Sequence, residues 1–257
     1  METLQVERAD GIVTITMNRP QRKNAASAKM FNELREVFRS ISGDPERDRV
    51  VILTGAEGNF CSGADLSVIG EVQMHHLAWM RQVGETCVSL HRLPQPVIAK
   101  IEGVAVGAGL NLALGCDLIV AAEDARFSEI FARRGLSIDF GGSYVLPRLV
   151  GLHKAKELAF FADIISAKEA LDLGIVNRVV ANTEIDAFVD DWARKLAAGP
   201  PIALSMTKKL LNEGLHSSIE QAVEAEAQAQ TVNFGTADTQ EAMAAFVQKR
   251  DPEFRGR

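Results

Sequence analysis

The chain has 257 residues, a formal net charge of −6, 47% hydrophobic residues and 24% charged ones. That balance is ordinary for a globular protein and excludes disorder, collagen-like repeats and a disulfide scaffold. Mild acidity argues against a nucleic-acid partner, which needs a clustered positive face, and the length supplies core enough for one large domain with or without an appendage.

The first residues carry Glu2, Glu7, Arg8 and Asp10 and lack the apolar stretch of a signal peptide. Ile12–Met17 alternates, with Val13, Ile15 and Met17 on one face and Thr14 and Thr16 on the other, which predicts a half-buried strand. Met30, Leu34, Val37, Phe38 and Ile41 then follow at helical spacing. Val50–Thr54 reads as an apolar strand stopped by Gly55. A helix is expected over Leu77–Leu90, with Met80, Val83, Cys87 and Leu90 on one stripe. Val97–Ile101 and Leu118–Ala122 read as buried strands, and Ala108–Leu114 between them as a small apolar helix. Ser166-Ala167-Lys168-Glu169 is a capping box for a short helix that Gly174 closes.

From Pro200 onward strand signals stop. Helices are expected over Ile202–Leu211, Ile219–Gln230 and Thr239–Lys249, with Ser218/Gln221 and Asp238/Glu241 as caps. The division is therefore an α/β core over residues 1–199 and a helical region over 200–257. The thin apolar stripe around Ala222–Gln230 calls for a partner surface, though a tail packed back on its own chain is the plain alternative.

No apolar stretch approaches the roughly 18 residues of a membrane span. Cys61, Cys87 and Cys116 are far apart and form no C-x-x-C pair, so neither a zinc site nor a disulfide framework is supported, and a reducing cytoplasm is the default. Adjacent His75 and His76 do not share a helix face and read as solvated rather than metal-binding. Arg133-Arg134 reads as a surface pair, and Trp79 and Trp192 as packing residues.

Two glycine-rich turns stand out. Phe60-Cys61-Ser62-Gly63-Ala64-Asp65-Leu66 permits a tight turn with accessible N–H groups, and Gly103 to Asn111 runs from a strand into a helix. N–H groups at a helix start lack partners and sit at the positive end of the dipole. One N–H from each loop suits an oxyanion hole for a carbonyl that becomes an enolate. A dinucleotide fingerprint is the rival for Gly107-x-Gly109, but its third glycine is replaced by Leu112. The plain alternative is that the glycines only permit close helix packing.

With these motifs the sequence resembles the enoyl-CoA hydratase/isomerase family, also called crotonases. The matches are Asn18-Arg19-Pro20 with Asn24-Ala25, Phe60-x-Ser62-Gly63-Ala64-Asp65-Leu66, Gly103-x-Ala105-x-Gly107-Ala108-Gly109, and Cys116-Asp117-Leu118 with Phe127. Gly135, Gly141-Gly142-Ser143, Ala167-x-Glu169-Ala170, Gly174-Ile175-Val176 and the tail from Phe246 to Phe254 follow in order. The resemblance implies an α/β spiral of repeated strand–strand–helix turns with a helical C-terminal trimerisation region, assembled as a trimer or a hexamer. It implies an acyl-CoA thioester substrate, with no cofactor beyond the coenzyme A of that substrate. By motif position the oxyanion donors are the N–H groups of Ala64 and Ala108. Asp65 stabilises its own loop, Arg22, Lys23 and Ala25 lie near the nucleotide, and Ser62, Gly63, Leu66 and Gly107 line the thioester site. Lys249, with Phe246 beside it, reaches a neighbour's coenzyme A phosphate; a solvated helix end is the alternative.

The acid–base residues depart from the hydratase pattern. The two positions that carry glutamates in the family's hydratases fall on Asn111 and Phe131. Asparagine does not take a proton from water near neutral pH, and phenylalanine does not bond one at all. Both then shape the acyl pocket. Glu129, two positions away, is expected to point elsewhere, as a surface or supporting residue. Asp139, before Gly141-Gly142, reads either as a cap for a helix at Tyr144–Val150 or as the single carboxylate that the family's double-bond isomerases use from this region. Burial there is expected to raise its pKa. The resulting expectation is isomerisation of an enoyl-CoA, with hydration of a 2-enoyl-CoA, other thioester-enolate chemistry and non-catalytic acyl-CoA binding as alternatives. The segment Ser67–Arg81 is expected to form the variable pocket wall.

Overall fold

The computed structural model describes residues 1–44, 46–67 and 74–257, so positions 68–73 of the expected pocket wall lie outside the described residues. The chain opens with a hairpin of β1 (Leu4–Ala9) and β2 (Ile12–Met17). Asp10 and Gly11 both have positive φ (51° and 79°), as a two-residue Asp-Gly turn requires. After α1 (Ala28–Ser42), β3 (Val50–Gly55) and α2 (His76–His91) come β4 (Val97–Ile101), β5 (Val104–Val106) and α3 (Ala108–Leu114). The next turn supplies β6 (Leu118–Ala122), β7 (Arg126–Ser128), α4 (Gly142–Val150) and α5 (Leu152–Phe161). Then follow β8 (Ile165–Ser166), α6 (Ala167–Asp172), β9 (Arg178–Val180), α7 (Ile185–Ala197), α8 (Pro201–Gly214), α9 (Ile219–Phe234) and α10 (Ala237–Gln248).

The strands form two sheets. One runs β1-β2-β3-β4-β6-β9, parallel from β2 onward; the smaller runs β5-β7-β8. Strand, strand, helix recurs in the middle of the chain: β4 and β6 join the larger sheet, and β5 and β7, which follow them, join the smaller before the next helix. Every residue of β3 is buried because both faces are covered. Val51 and Leu53 join the main core with α1 and α2, whereas Val50 and Ile52 meet Ile185, Val189 and Ala193 of α7 on the other side.

Three local expectations change. Gly55 ends β3 from within the strand: a Cβ there lies 2.0 Å from the Asn59 carbonyl, so backbone approach demands glycine. His75 is not merely solvated, since its Nδ1 accepts from Leu77 N at 3.2 Å and caps α2. Asp238 is not the α10 cap; Thr236 is, and the buried Asp238 carboxylate accepts from the Arg255 and Gly256 amides at 2.7 and 2.9 Å. The Ser166/Glu169 and Ser218/Gln221 capping boxes both form. No helix of the described residues is long and apolar enough to cross a membrane. Along α9 no residue is buried, and Ile219, Val223 and Phe234 are exposed.

Candidate active site

The two glycine-rich loops meet by backbone pairing. Cys61 N donates to Val104 O at 2.9 Å, and Val106 N donates to Cys61 O at 3.0 Å. Gly109 makes this approach possible, because a Cβ on it falls 2.4 Å from Cys61 O. Gly63 (φ 99°) is similarly confined, 2.9 Å from Val106 O and 4.0 Å from Ala108 N when a Cβ is built on it. Gly107 has φ 55° and ψ −126°, a conformation that glycine alone adopts readily, and α3 starts directly after it. Among the described residues the N–H groups of Ala64 and Ala108 donate to no acceptor. Two unsatisfied donors on adjoining loops, one at a helix N-terminus, are what an oxyanion requires.

A clamp fixes the first loop. Arg19 reaches Ala25 O at 2.5 Å and the Asp65 carboxylate at 2.7 Å, while Asp65 also accepts from Ser67 N and Oγ at 3.2 and 2.6 Å. The Ser67 hydroxyl, then Arg19, hold the Asp65 carboxyl below the usual range despite its burial. Ser62 binds the carbonyls of Arg22 and Lys23 at 3.0 Å each. The segment Arg22 to Ala25 therefore lies against the loop, with Arg22 and Lys23 exposed, Ala25 buried and Leu66 open to solvent.

The acids form the other half of the site. β5 and β7 pair in register with Val106 opposite Ser128, and Gly107 N donates to Ser128 O at 2.8 Å. The chain after each strand thus leaves the sheet on the same edge: Gly107-Ala108 from one, Glu129 from the other. Glu129 is buried to 2% exposure, which corrects its expected surface placement. Phe131, also buried, packs with Ile130 against Gly107. One turn into α3, the Asn111 amide nitrogen donates to Glu129 Oε2 at 3.4 Å and to the Asp139 backbone carbonyl at 3.0 Å. Gly142 admits this arrangement, since a Cβ there lies 2.3 Å from Asn111 Oδ1.

Asp139 does not cap α4: the N-cap is Gly141, with no side-chain hydrogen bond. Its loop is held instead by left-handed backbone at Phe140 (φ 47°) and Gly141 (φ 79°), by stacking of Phe140 on Phe31 at 5.6 Å, and by the Cys87 thiol on Phe140 O at 3.3 Å. A bulky residue at positive φ is strained and persists only where its surroundings fix it. Burial raises the Asp139 carboxyl to about 6. Glu129 is pushed up to about 8, by burial first and by the Asp139 charge as well. Asp139 ionises while Glu129 is still neutral, so only the second acid feels the first one's charge. Neither carboxyl has a cation within ion-pair distance among the described residues. Asn111 Oδ1, Glu129 Oε1 and Asp139 Oδ1 are all buried without a hydrogen-bond partner.

Sequence reasoning missed Glu129. The signal was there: Phe127 is buried, and strand period two carries the same side forward to position 129. It also missed Arg19 as the clamp. Phe246 and Lys249 sit at the end of α10, both exposed and without a hydrogen bond to these residues. Arg133 pairs with Asp163 at 2.5 Å on the surface.

Known proteins resemble this chain over nearly its whole length. The family model described as "Enoyl-CoA hydratase/isomerase" matches residues 7–257. A short-chain-enoyl-CoA hydratase of Clostridium acetobutylicum is 36% identical, covering 96% of this chain and 95% of its own. A 1,2-epoxyphenylacetyl-CoA isomerase of Escherichia coli is 33% identical over the whole of both chains. The crystal structure of an enoyl-CoA hydratase from Bacillus anthracis superposes with a TM-score of 0.93 at 33% identity, over 99% of this chain and 100% of that one.

Proposed function

Because the chain belongs to the enoyl-CoA hydratase/isomerase family, we propose that it shifts the carbon–carbon double bond of an enoyl-CoA through a thioester enolate. The observation that carries this reading is Asp139, a half-buried carboxyl with an unpartnered Oδ1, no cation partner and no capping duty, on a loop that the Asn111 amide ties to α3, the helix that opens on the Ala108 N–H. A carboxyl near 6 is ionised at neutral pH yet basic enough to accept a carbon-bound proton once an oxyanion hole takes up the charge.

In this reading the thioester oxygen lies on the N–H groups of Ala64 and Ala108. Asp139 removes the proton alpha to the carbonyl, Asn111 and Phe131 shape the acyl pocket, and Arg22, Lys23 and Ala25 face the nucleotide. The exposed stripe of α9 and the bare Phe246 and Val247 of α10 are covered by other copies in a trimer or a hexamer, where Lys249 meets a neighbour's coenzyme A phosphate. A reducing cytoplasm suits the three free cysteines.

Hydration of a 2-enoyl-CoA is the second reading. Glu129 favours it, because it gives the site a second carboxyl about which a water can be held. The deciding experiment follows a 3-enoyl-CoA with wild type and Asp139→Asn. A loss of at least about a hundredfold in kcat supports the isomerase reading; undiminished turnover by Asp139→Asn ends it. Crotonyl-CoA hydration outpacing isomerisation in wild type selects the second reading.

A further inference from the structure

We propose that Glu129 is a second acid of this site and supplies the proton that completes the double-bond shift, while Asp139 removes the first. The inference rests on the isomerase reading and adds to it a residue at neither of the positions where the family's hydratases carry glutamate.

Three observations tie Glu129 to the candidate site. It leaves β7 beside the Gly107-Ala108 turn, where Gly107 N donates to Ser128 O, so its backbone adjoins the loop that carries the Ala108 N–H. The Asn111 amide ties its Oε2 to the backbone of Asp139, which makes one assembly of the two acids. Its Oε1 is buried without a partner, as are Asn111 Oδ1 and Asp139 Oδ1. A carboxyl sealed from water with no cation beside it holds its proton, and Asn111 donates to Oε2, which leaves that proton on Oε1. One donor and two acceptors then stand unmatched on three residues that the Asn111 amide links. Asp139 is half-buried, whereas Glu129 is 2% exposed. The resting proton therefore belongs on Glu129 and the base is Asp139, in keeping with their order of ionisation.

The steps balance. The Asp139 carboxylate takes the α-proton of a 3-enoyl thioester, and the C–H pair enters a dienolate whose oxygen charge rests on the Ala64 and Ala108 N–H groups. Glu129 gives its Oε1 proton to the γ-carbon. The old double-bond pair forms the new C–H bond, the α,β double bond forms, and the carbonyl is restored. Asp139 is left protonated and Glu129 ionised; passage of the proton from Asp139 to Glu129 resets both.

The two acids are separated by running a 3-enoyl-CoA in D2O and following α-hydrogen exchange apart from the double-bond shift by NMR. Wild type does both, and Asp139→Asn loses both. Glu129→Gln keeps the exchange, which also shows that it is folded, and loses the shift by about a hundredfold with KM unchanged. Glu129→Asp, which keeps the acid on a shorter stem, recovers part of it. A Glu129→Gln enzyme that shifts the bond at the wild-type rate overturns the proposal. A wild type that neither exchanges nor shifts overturns the isomerase reading instead. In that event infrared difference spectra decide for Glu129: a carboxylic-acid band near neutral pH that Glu129→Gln abolishes upholds the proton-holding acid, and no such band in wild type refutes it.

Discussion

The buried proton of Glu129 has a thermodynamic signature that needs no substrate. An unfolded chain releases this proton above the ordinary 4.5, whereas the folded protein keeps it until about 8. A raised carboxyl favours the folded state fully below the unfolded value, and that contribution is lost as pH climbs toward the folded one. Between the two values a single retained proton tilts stability by about 1.4 kcal/mol per pH unit. From about pH 5 to about pH 7.5 wild type should thus lose roughly 3 kcal/mol relative to Glu129→Gln, whose amide keeps the Asn111 contact and does not titrate. Asp139 titrates in both proteins and largely cancels in the difference. The assay is urea unfolding of both at the two pH values and matched protein concentration, since an assembled protein's stability depends on it. A stability difference that stays flat across this range refutes the reasoning, for it means that Glu129 is already ionised in the folded protein.

Three further outcomes follow from the same geometry. The pH profile of kcat/KM for isomerisation should rise through about 6, as Asp139 ionises, and fall through about 8, as Glu129 does. The facing groups are Asn111 on α3, which does not titrate, and Cys87 on α2, whose thiol is pushed up to about 11; a profile flat over that interval contradicts the assignment. Gly109→Ala places a Cβ 2.4 Å from Cys61 O, so the oxyanion loops must part and kcat should fall by about 10²-fold or more; wild-type kinetics from this variant would show that the loops tolerate separation. Asp65→Asn leaves the Arg19 guanidinium without its anion, and thermal unfolding should report a loss of about 3 kcal/mol, whereas an unchanged Tm denies the clamp its role.

How much of this was legible in the sequence depends on how far each feature repeats. The alternation of Ile12–Met17, the spacing of Met30 to Ile41 and the apolar runs of β4 and β6 are long enough to declare their period, and the elements form where they indicate. The strands β5, β7 and β9 have three residues each and β8 has two, too short for any period to show, yet β5 and β7 carry the chain into the candidate site. The glycine loops were legible because Gly63, Gly107 and Gly109 are demanded by backbone rather than by packing. The acids were half legible. Asp139 carries a capping alternative in the sequence that only the geometry of α4 removes. Glu129 lies two residues from Phe131, and only its position two residues after the buried Phe127 marks it as inward.

Asn111, Glu129, Asp139 and Gly142 form one arrangement rather than separate features. Asn111 donates through its nitrogen to Glu129 Oε2 and to the Asp139 carbonyl. A carboxylate at position 111 offers no donor for either oxygen and sets a negative charge against two acceptors in a space closed to water. With Glu129 and Asp139 present, position 111 calls for a hydrogen-bond donor, which the Asn111 amide supplies. Gly142 then has to be glycine, because a Cβ there collides with that amide. The two carboxyls differ in setting: Glu129, at the end of β7, is almost fully buried, and Asp139, on the strained turn before α4, is half-buried. Under the proposed reading that difference makes one the proton-holding acid and the other the base for moving a proton between carbons. Phe131, buried against Gly107, brings no proton-transfer group of its own.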